Sequence, residues 1–218
     1  MKLTKAKNTR PDWIAVAGSQ IGFKIFGTSA FISLFFVFYI YLLKHPAYPV
    51  VIMPTLAFDD FVNFQPLAFP LYVSLWVYVT FPVMLMKTRR EIVRYGGWIG
   101  SLCVLSLGIF YFYPNAIPPV QIDWSLYPAM EFLKNIDASG NACPSLHVGT
   151  AVFTALWLHH QLRLMRFGRF IVSLNLVWCV AIAYSTLATK QHVMIDLIAG
   201  AALGALVAWL SLRRVQSA

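Results

Sequence analysis

Ser185-Thr186-Leu187-Ala188-Thr189-Lys190-Gln191-His192-Val193-Met194-Ile195-Asp196 joins two long apolar runs through a few polar residues. So short a connection between hydrophobic segments predicts two neighbouring helices with their polar residues gathered at one end. A second stretch, Asn141-Ala142-Cys143-Pro144-Ser145-Leu146-His147, opens another apolar run in the same way. Each stretch places a histidine at the outer end of an apolar helix, and the first adds Asp196 four residues after His192. Nearly everything else reads as apolar helix able to hold these groups inside a bilayer.

Composition agrees. Of 218 residues, 59% are hydrophobic and 11% charged, outside the range of a soluble globular domain. The aromatic share of 16% suits interfacial belts. A transmembrane helix needs about 20 apolar residues, and six runs qualify, near 21–43, 67–86, 97–113, 145–162, 170–187 and 192–212. Residues 44–65, with Pro46, Pro49 and Pro54, read as a loop with a partly inserted or surface-lying segment. Residues 87–94 read as a short basic loop, and 115–144 as a long one. Gly200 and Gly204 form a Gly-xxx-Gly pair suited to close helix packing. The basic start, with Trp13 near the headgroups, lacks the pattern of a cleaved leader, so the first long apolar run is expected to be retained. Cys103, Cys143 and Cys179 are an odd, scattered set and read as thiols.

Charge sets the expected orientation. With the N-terminus inside, all of the 17 Lys and Arg except Lys44, Lys134 and Lys190 fall on inner segments, as the positive-inside rule requires. Both junctions then face outward. The net charge of +9 is thereby a topology signal, and nucleic acid is excluded as a partner.

The junctions carry the chemistry. On a helix His192 and Asp196 would share a face, so the carboxylate would hold one imidazole nitrogen and leave the other free and basic. A carboxylate one turn inside an apolar helix points by default to function. Pro144 and Ser145 suit a helix start, and the free N–H groups of Ser145, Leu146, His147 and Val148 would form an anion site. A phosphate held there would have His147 as a proton donor. His159-His160, a Cys143–His147 pair, Asn175 (an interhelical hydrogen bond) and Asp59-Asp60 (a solvated loop) are weaker candidates.

Pro-Ser-Leu-His, followed at the next outer junction by Ser-xxxx-Lys-Gln-His-xxx-Asp, resembles the type 2 phosphatidic acid phosphatase superfamily. The wording Ser185-Thr186, Lys190-Gln191-His192 and Asp196 is closest to its inositol phosphorylceramide synthase-like branch. The resemblance implies His192 as the nucleophile that forms a phosphohistidine, Asp196 as its orienting acid, and His147 as the proton donor to the leaving group. It implies phosphate oxygens held by Ser145, Leu146 and Ser185, and no metal. Two departures stand out: Thr186 replaces the Arg that commonly follows the Ser, and no Lys-xxxxxx-Arg-Pro motif follows the third span. Lys190 is expected to supply the missing positive charge, with Lys134 the other cation nearby.

The expected molecule is an all-α integral membrane protein: six transmembrane helices in a bundle, both termini cytoplasmic, the active site extracytoplasmic. Residues 1–20 form a basic cytoplasmic or interfacial segment and 21–214 the transmembrane domain. The expected activity is hydrolysis of a lipid phosphate ester, with transfer to an alcohol, or a catalytically dead lipid-binding relative, as alternatives. A transporter is set aside because no polar stripe runs through the spans. The expected partners are a lipid phosphate or phospholipid and the membrane, without cofactor or metal; the oligomeric state stays open. The expected location is a bacterial inner membrane, the site facing the periplasm or exterior.

Overall fold

The computed structural model describes residues 12–136 and 140–216; Lys2, Lys5, Lys7, Arg10 and Pro11 of the basic segment, and Asp137 of the long loop, lie outside them. The described chain is mostly helical. A short α1 (Trp13–Gly18) is capped by the Asp12 carboxylate, which accepts from the Ile14 and Ala15 N–H groups. The first long helix is α2 (Ile21–Lys44). Loop residues then form β1 (Val51–Ile52) and α3 (Ala57–Phe61).

The second apolar run, Pro66–Met84, is broken into a 3-10 turn (Pro66–Ala68), α4 (Phe69–Val73), α5 (Leu75–Tyr78) and α6 (Phe81–Met84). Pro66, Pro70 and Pro82 lack the N–H a continuous helix requires. Next comes α7 (Arg89–Phe112), then β2 (Asn115–Ala116), a 3-10 turn (Trp124–Leu126) and α8 (Pro128–Ile136). The last helices are α9 (Leu146–Leu164), α10 (Arg169–Ala188) and α11 (Met194–Gln216).

Five of these segments are long and apolar enough to cross a membrane: α2, the broken run Pro66–Met84, α7, α10, and α11 through Arg214. The expected sixth, 145–162, corresponds to α9. It is not among the five: His147, His159, His160, Gln161 and Arg163 lower its apolarity. It is the central helix, burying Val148, Ala151, Phe153, Trp157 and Leu158 against its neighbours. By contrast, Lys24 is the only buried residue of α2, and Phe26, Leu34 and Val37 point outward. Apolar surface on this scale suggests lipid contact.

Two boundaries differ from expectation. The basic stretch 87–94 is not a loop beyond Thr88. Thr88 and Glu91 form a capping box that starts α7 at Arg89. The loops at the opposite end are also more ordered than the sequence suggests: β1 pairs in parallel with β2, Val51 opposite Asn115 and Ile52 opposite Ala116, and Ala116 bridges Gly140.

The two ends are tied by different groups. At the basic end, the buried Lys24 ammonium donates to the carbonyls of Val16, Ala17 and Met84, and so joins α1, α2 and α6. In the middle, Tyr78 donates to Asn175 Oδ1 at 2.6 Å while Asn175 Nδ2 donates to Ala155 O at 3.0 Å. Asn175 is thus the interhelical link expected of it. Between α9 and α11 the contact is backbone on backbone. A Cβ at Gly200 would collide with the Ser145 carbonyl, and one at Gly204 with that of Gly149. The Gly-xxx-Gly pair does set a close approach.

Candidate active site

The α10–α11 connection is built by a left-handed residue. Lys190 has φ 53°, which turns the chain back after α10. The Thr186 carbonyl then accepts from both Gln191 N (2.9 Å) and His192 N (3.1 Å), fixing the backbone beneath the histidine. His192 therefore lies in this turn, two residues before α11, and not on a shared helical face with Asp196. The pair still meets: His192 Nδ1 is 3.5 Å from Asp196 Oδ2.

Asp196 is the third residue of α11. Its Oδ2 accepts from Val193 N at 3.1 Å, the acidic half of a capping box. The positive end of the helix dipole favours a carboxylate here, which accounts for one that is fully buried. Its main-chain carbonyl accepts from Ser145 N at 3.0 Å and so ties the start of α9 to the start of α11.

The start of α9 differs in detail from expectation. Ser145 is the N-cap, its hydroxyl accepting from Val148 N at 3.3 Å, and Pro144 lies before the helix. With the Ser145 N–H on Asp196, two of the four expected anion-binding amides are engaged. Those of Leu146 and His147 have no partner among the described residues. Cys143 also precedes α9, so it does not share a helix face with His147.

His147 is stacked on Tyr72 of α4, ring centroids 4.0 Å apart and planes at 17°. Its Nε2 is buried without a hydrogen-bond partner among the described residues. His147 and His192 line one cavity of about 390 Å³ and are close enough to interact electrostatically. The other walls are largely apolar and aromatic: Phe31, Phe35 and Tyr39 of α2, Leu75 and Trp76 of α5, Ile99 of α7. Among the described residues, no lysine or arginine lines it.

Two expected phosphate ligands have protein partners and do not line the cavity shared by His147 and His192. Ser185 is fully buried in α10, its hydroxyl donating to Ile182 O at 2.6 Å, and it lines neither cavity beside His192. Lys190 directs its ammonium to the carbonyls of Val62 and Asp59. Helix-end carbonyls are strong acceptors for a cation. Lys134 lies over Trp124, 5.0 Å from the ring centroid, with the Lys190 carbonyl 3.5 Å from its ammonium.

Three residues to which the sequence reading gave no role in the site hold it together. Tyr72 is one. Asn115 is buried and grips Cys143 twice: Oδ1 accepts from Cys143 N at 2.6 Å, and Nδ2 donates to Cys143 O at 2.7 Å. Asp59, read as part of a solvated loop, is buried; its carboxylate accepts from Leu56 N and from Met194 N, both at 2.8 Å, and so caps α3 and α11 together. Asp60 is exposed, as expected. No sequence signal separates Tyr72 from the chain's many other aromatics. Asp59 follows Pro54 closely and precedes Phe61, a pattern equally typical of surface turns.

Burial, and then the Asp196 carboxylate beside it, push the Cys143 thiol up to about 11. It is a neutral thiol at physiological pH.

A family model described as the PAP2 superfamily matches residues 98–218, more than half of the chain. The comparison with curated proteins returned no match, and neither did the comparison with solved structures.

Proposed function

Because the chain belongs to the PAP2 superfamily, we propose that it is an integral-membrane enzyme that cleaves a phosphate ester of a lipid through a phosphohistidine on His192. Membership of that family suggests phosphatase or phosphotransferase activity on lipid-like substrates. One observation carries the finer reading: His147 and His192, brought from the starts of two helix-forming segments, line a single cavity whose remaining walls are largely apolar and aromatic. Such a chamber takes a hydrocarbon body and presents both imidazoles to the phosphate at its end.

The chemistry follows from the positions. Asp196 Oδ2 lies 3.5 Å from His192 Nδ1, which supports a reading in which Nδ1 carries the proton and Nε2 is the nucleophile. Nε2 bonds to phosphorus while the ester P–O bond breaks, and the departing oxygen takes a proton from His147. In the second half an incoming O–H gives its proton back to His147, its oxygen bonds to phosphorus, and the P–N bond breaks. The unpartnered Leu146 and His147 amides, at the positive end of α9, stabilise the phosphoryl oxygens. Asp196 acts through His192 as a positioning residue. Ser185 and Lys190 support this site through the α10–α11 turn.

The segregation of basic residues supports a cytoplasmic basic end, α9 as a sixth span, and a site facing away from the cytoplasm. In a bacterium that is the periplasmic face of the inner membrane. The test is release of product from purified lipid phosphates and phospholipids in the presence of EDTA. His192→Ala is expected to abolish turnover; turnover that persists in that variant contradicts the proposal.

A further inference from the structure

The two histidines of the site are held differently. His192 has the Asp196 carboxylate beside it, whereas among the described residues no carboxylate lies within ion-pair distance of His147. In the reaction proposed above, His147 has to carry a proton, and with it a positive charge, beside a cavity whose walls are largely apolar. Among the described residues that line it there is no aspartate, glutamate, lysine or arginine. A charge taken out of water is costly unless a neighbouring group favours it. The substrate phosphate is one such group. The protein's own is Tyr72.

The buried Tyr72 ring lies nearly flat on the His147 ring, centroids 4.0 Å apart and planes at 17°. An aromatic face in contact with a cation attracts it, most strongly where both are out of water. The Tyr72 main-chain carbonyl is also within hydrogen-bonding reach of the His147 ring. His147 Nε2 has no partner among the described residues, so this contact falls to Nδ1. A carbonyl only accepts, so it keeps a proton on Nδ1 and leaves the Nε2 proton as the one to give. The tyrosine is itself well anchored. Two residues on, the Ser74 hydroxyl donates to Leu71 O at 2.6 Å and accepts from Trp178 Nε1 of α10 at 2.9 Å. The Phe69 ring runs parallel to that of Tyr72, at 9°.

Resting on the phosphohistidine reading above, we propose that Tyr72 is the positioning residue of the proton donor: its ring and its main-chain carbonyl hold His147 as an imidazolium with the Nε2 proton free to leave. Tyr72 is then to His147 what Asp196 is to His192, with an aromatic face in place of a carboxylate. As His192 Nε2 bonds to phosphorus, the ester P–O bond breaks and its electron pair stays on the departing oxygen. That oxygen takes the proton from His147 Nε2, and the imidazolium becomes a neutral imidazole. In the second half the incoming O–H returns a proton to the same nitrogen. Tyr72 touches neither phosphorus nor the departing oxygen; it acts through His147. It also precedes residues 98–218, the segment that the family model matches, so the support of this histidine comes from a part of the chain outside that match.

The test uses the purified full chain in lipid–detergent micelles with two probes. Phosphatidic acid releases diacylglycerol, an alcohol that leaves only with a proton. A nitrophenyl phosphate with a long alkyl chain on its ring releases a nitrophenolate, which leaves without one. First-turnover release of both is measured on one preparation, so the ratio of the two rates does not depend on how much of a variant is folded. Tyr72→Leu is expected to lower diacylglycerol release about 30-fold relative to nitrophenolate release, the worth of a desolvated cation–aromatic contact. His147→Ala is expected to show the same selective loss, and a larger one. Tyr72→Phe keeps the aromatic face and is expected to restore the ratio of the unaltered chain. Equal losses on the two probes in Tyr72→Leu overturn the proposal and leave the stack a packing contact. A selective loss in His147→Ala with none in Tyr72→Leu also overturns it, and leaves the phosphohistidine reading standing. A ratio in Tyr72→Phe as low as in Tyr72→Leu moves the effect to the hydroxyl and overturns the role of the face. Release of neither leaving group by the unaltered chain, or undiminished release in His192→Ala, overturns the phosphohistidine reading and this inference with it.

Discussion

Asp196 carries three duties at once: it faces His192, caps α11 at Val193, and anchors Ser145 through its main chain. Asp196→Asn leaves the main-chain link untouched and removes only the charge. Its turnover is therefore expected to fall about 100-fold or more, as when an orienting carboxylate is neutralised in a catalytic triad, while expression and melting temperature change little. Equal losses in turnover and folded yield would mark Asp196 as structural. Cys143 reports on the same charge. Its thiol is held up near 11 by burial and by Asp196, so thiolate is scarce at pH 8 and alkylation by iodoacetamide is expected to be slow, accelerating as pH rises toward 11. Asp196→Asn removes one of the upward influences and is expected to move that acceleration to lower pH. Rapid modification of Cys143 at pH 8 in the unaltered chain would contradict this placement. The residues with reactive side chains were readable in the sequence because histidine and aspartate are rare in apolar runs. Tyr72, Asn115 and Asp59 were not, since their roles depend on which segments meet, and the spacing of one segment does not carry that.

The elements that matter most are α9 and α11, and glycine sets their separation. Gly200 faces the Ser145 carbonyl and Gly204 that of Gly149, with backbone on both sides, so no flexible side chain can give way. Gly200→Ala is expected to cost about 1–3 kcal/mol by overpacking. It is also expected to lower activity, because Ser145 is the N-cap of the helix that presents His147. Thermal melting in detergent measures the first effect. Gly108→Ala is the control, since nothing lies within 4 Å of a Cβ there. A Gly200→Ala protein as stable and as active as the unaltered chain would mean the close approach has no consequence. This contact was legible in outline, because small residues four apart on an apolar helix suit close packing, although small residues alone are a weak sign. The breaks in the Pro66–Met84 run were only half legible: its prolines are plain, but the positions at which the helix resumes depend on packing against α9 and α10. The extension of α7 back to Arg89 is a case where a capping box outweighed a run of charge.

For the whole molecule, most of the described lysines and arginines lie at the helix ends opposite the histidine site, with Lys44, Lys134 and Lys190 as the exceptions. Lys24 shows why charge alone misleads locally: it lies within the first apolar run, yet its ammonium donates to three carbonyls at the basic end. The family match begins at residue 98, whereas α2, α4 and α5, which form most of the apolar cavity wall, precede it. The two histidines and most of the apolar cavity wall thus come from different parts of the chain, and the motifs quoted for the resemblance lie only in the part that carries the histidines. Orientation is testable directly. A membrane-impermeant maleimide is expected to label Leu126→Cys on intact cells and Arg90→Cys only after permeabilisation. The reverse pattern would turn the site toward the cytoplasm.

The most direct measurement is to trap the covalent intermediate. A lipid substrate carrying radioactive phosphorus is mixed with the purified protein, quenched in alkali, and the labelled peptide is mapped. The expected result is an acid-labile, alkali-stable label on His192, absent from His192→Ala. Lipid turnover with no label on the protein, or with the label on another residue and undiminished in His192→Ala, would contradict a phosphohistidine at this site.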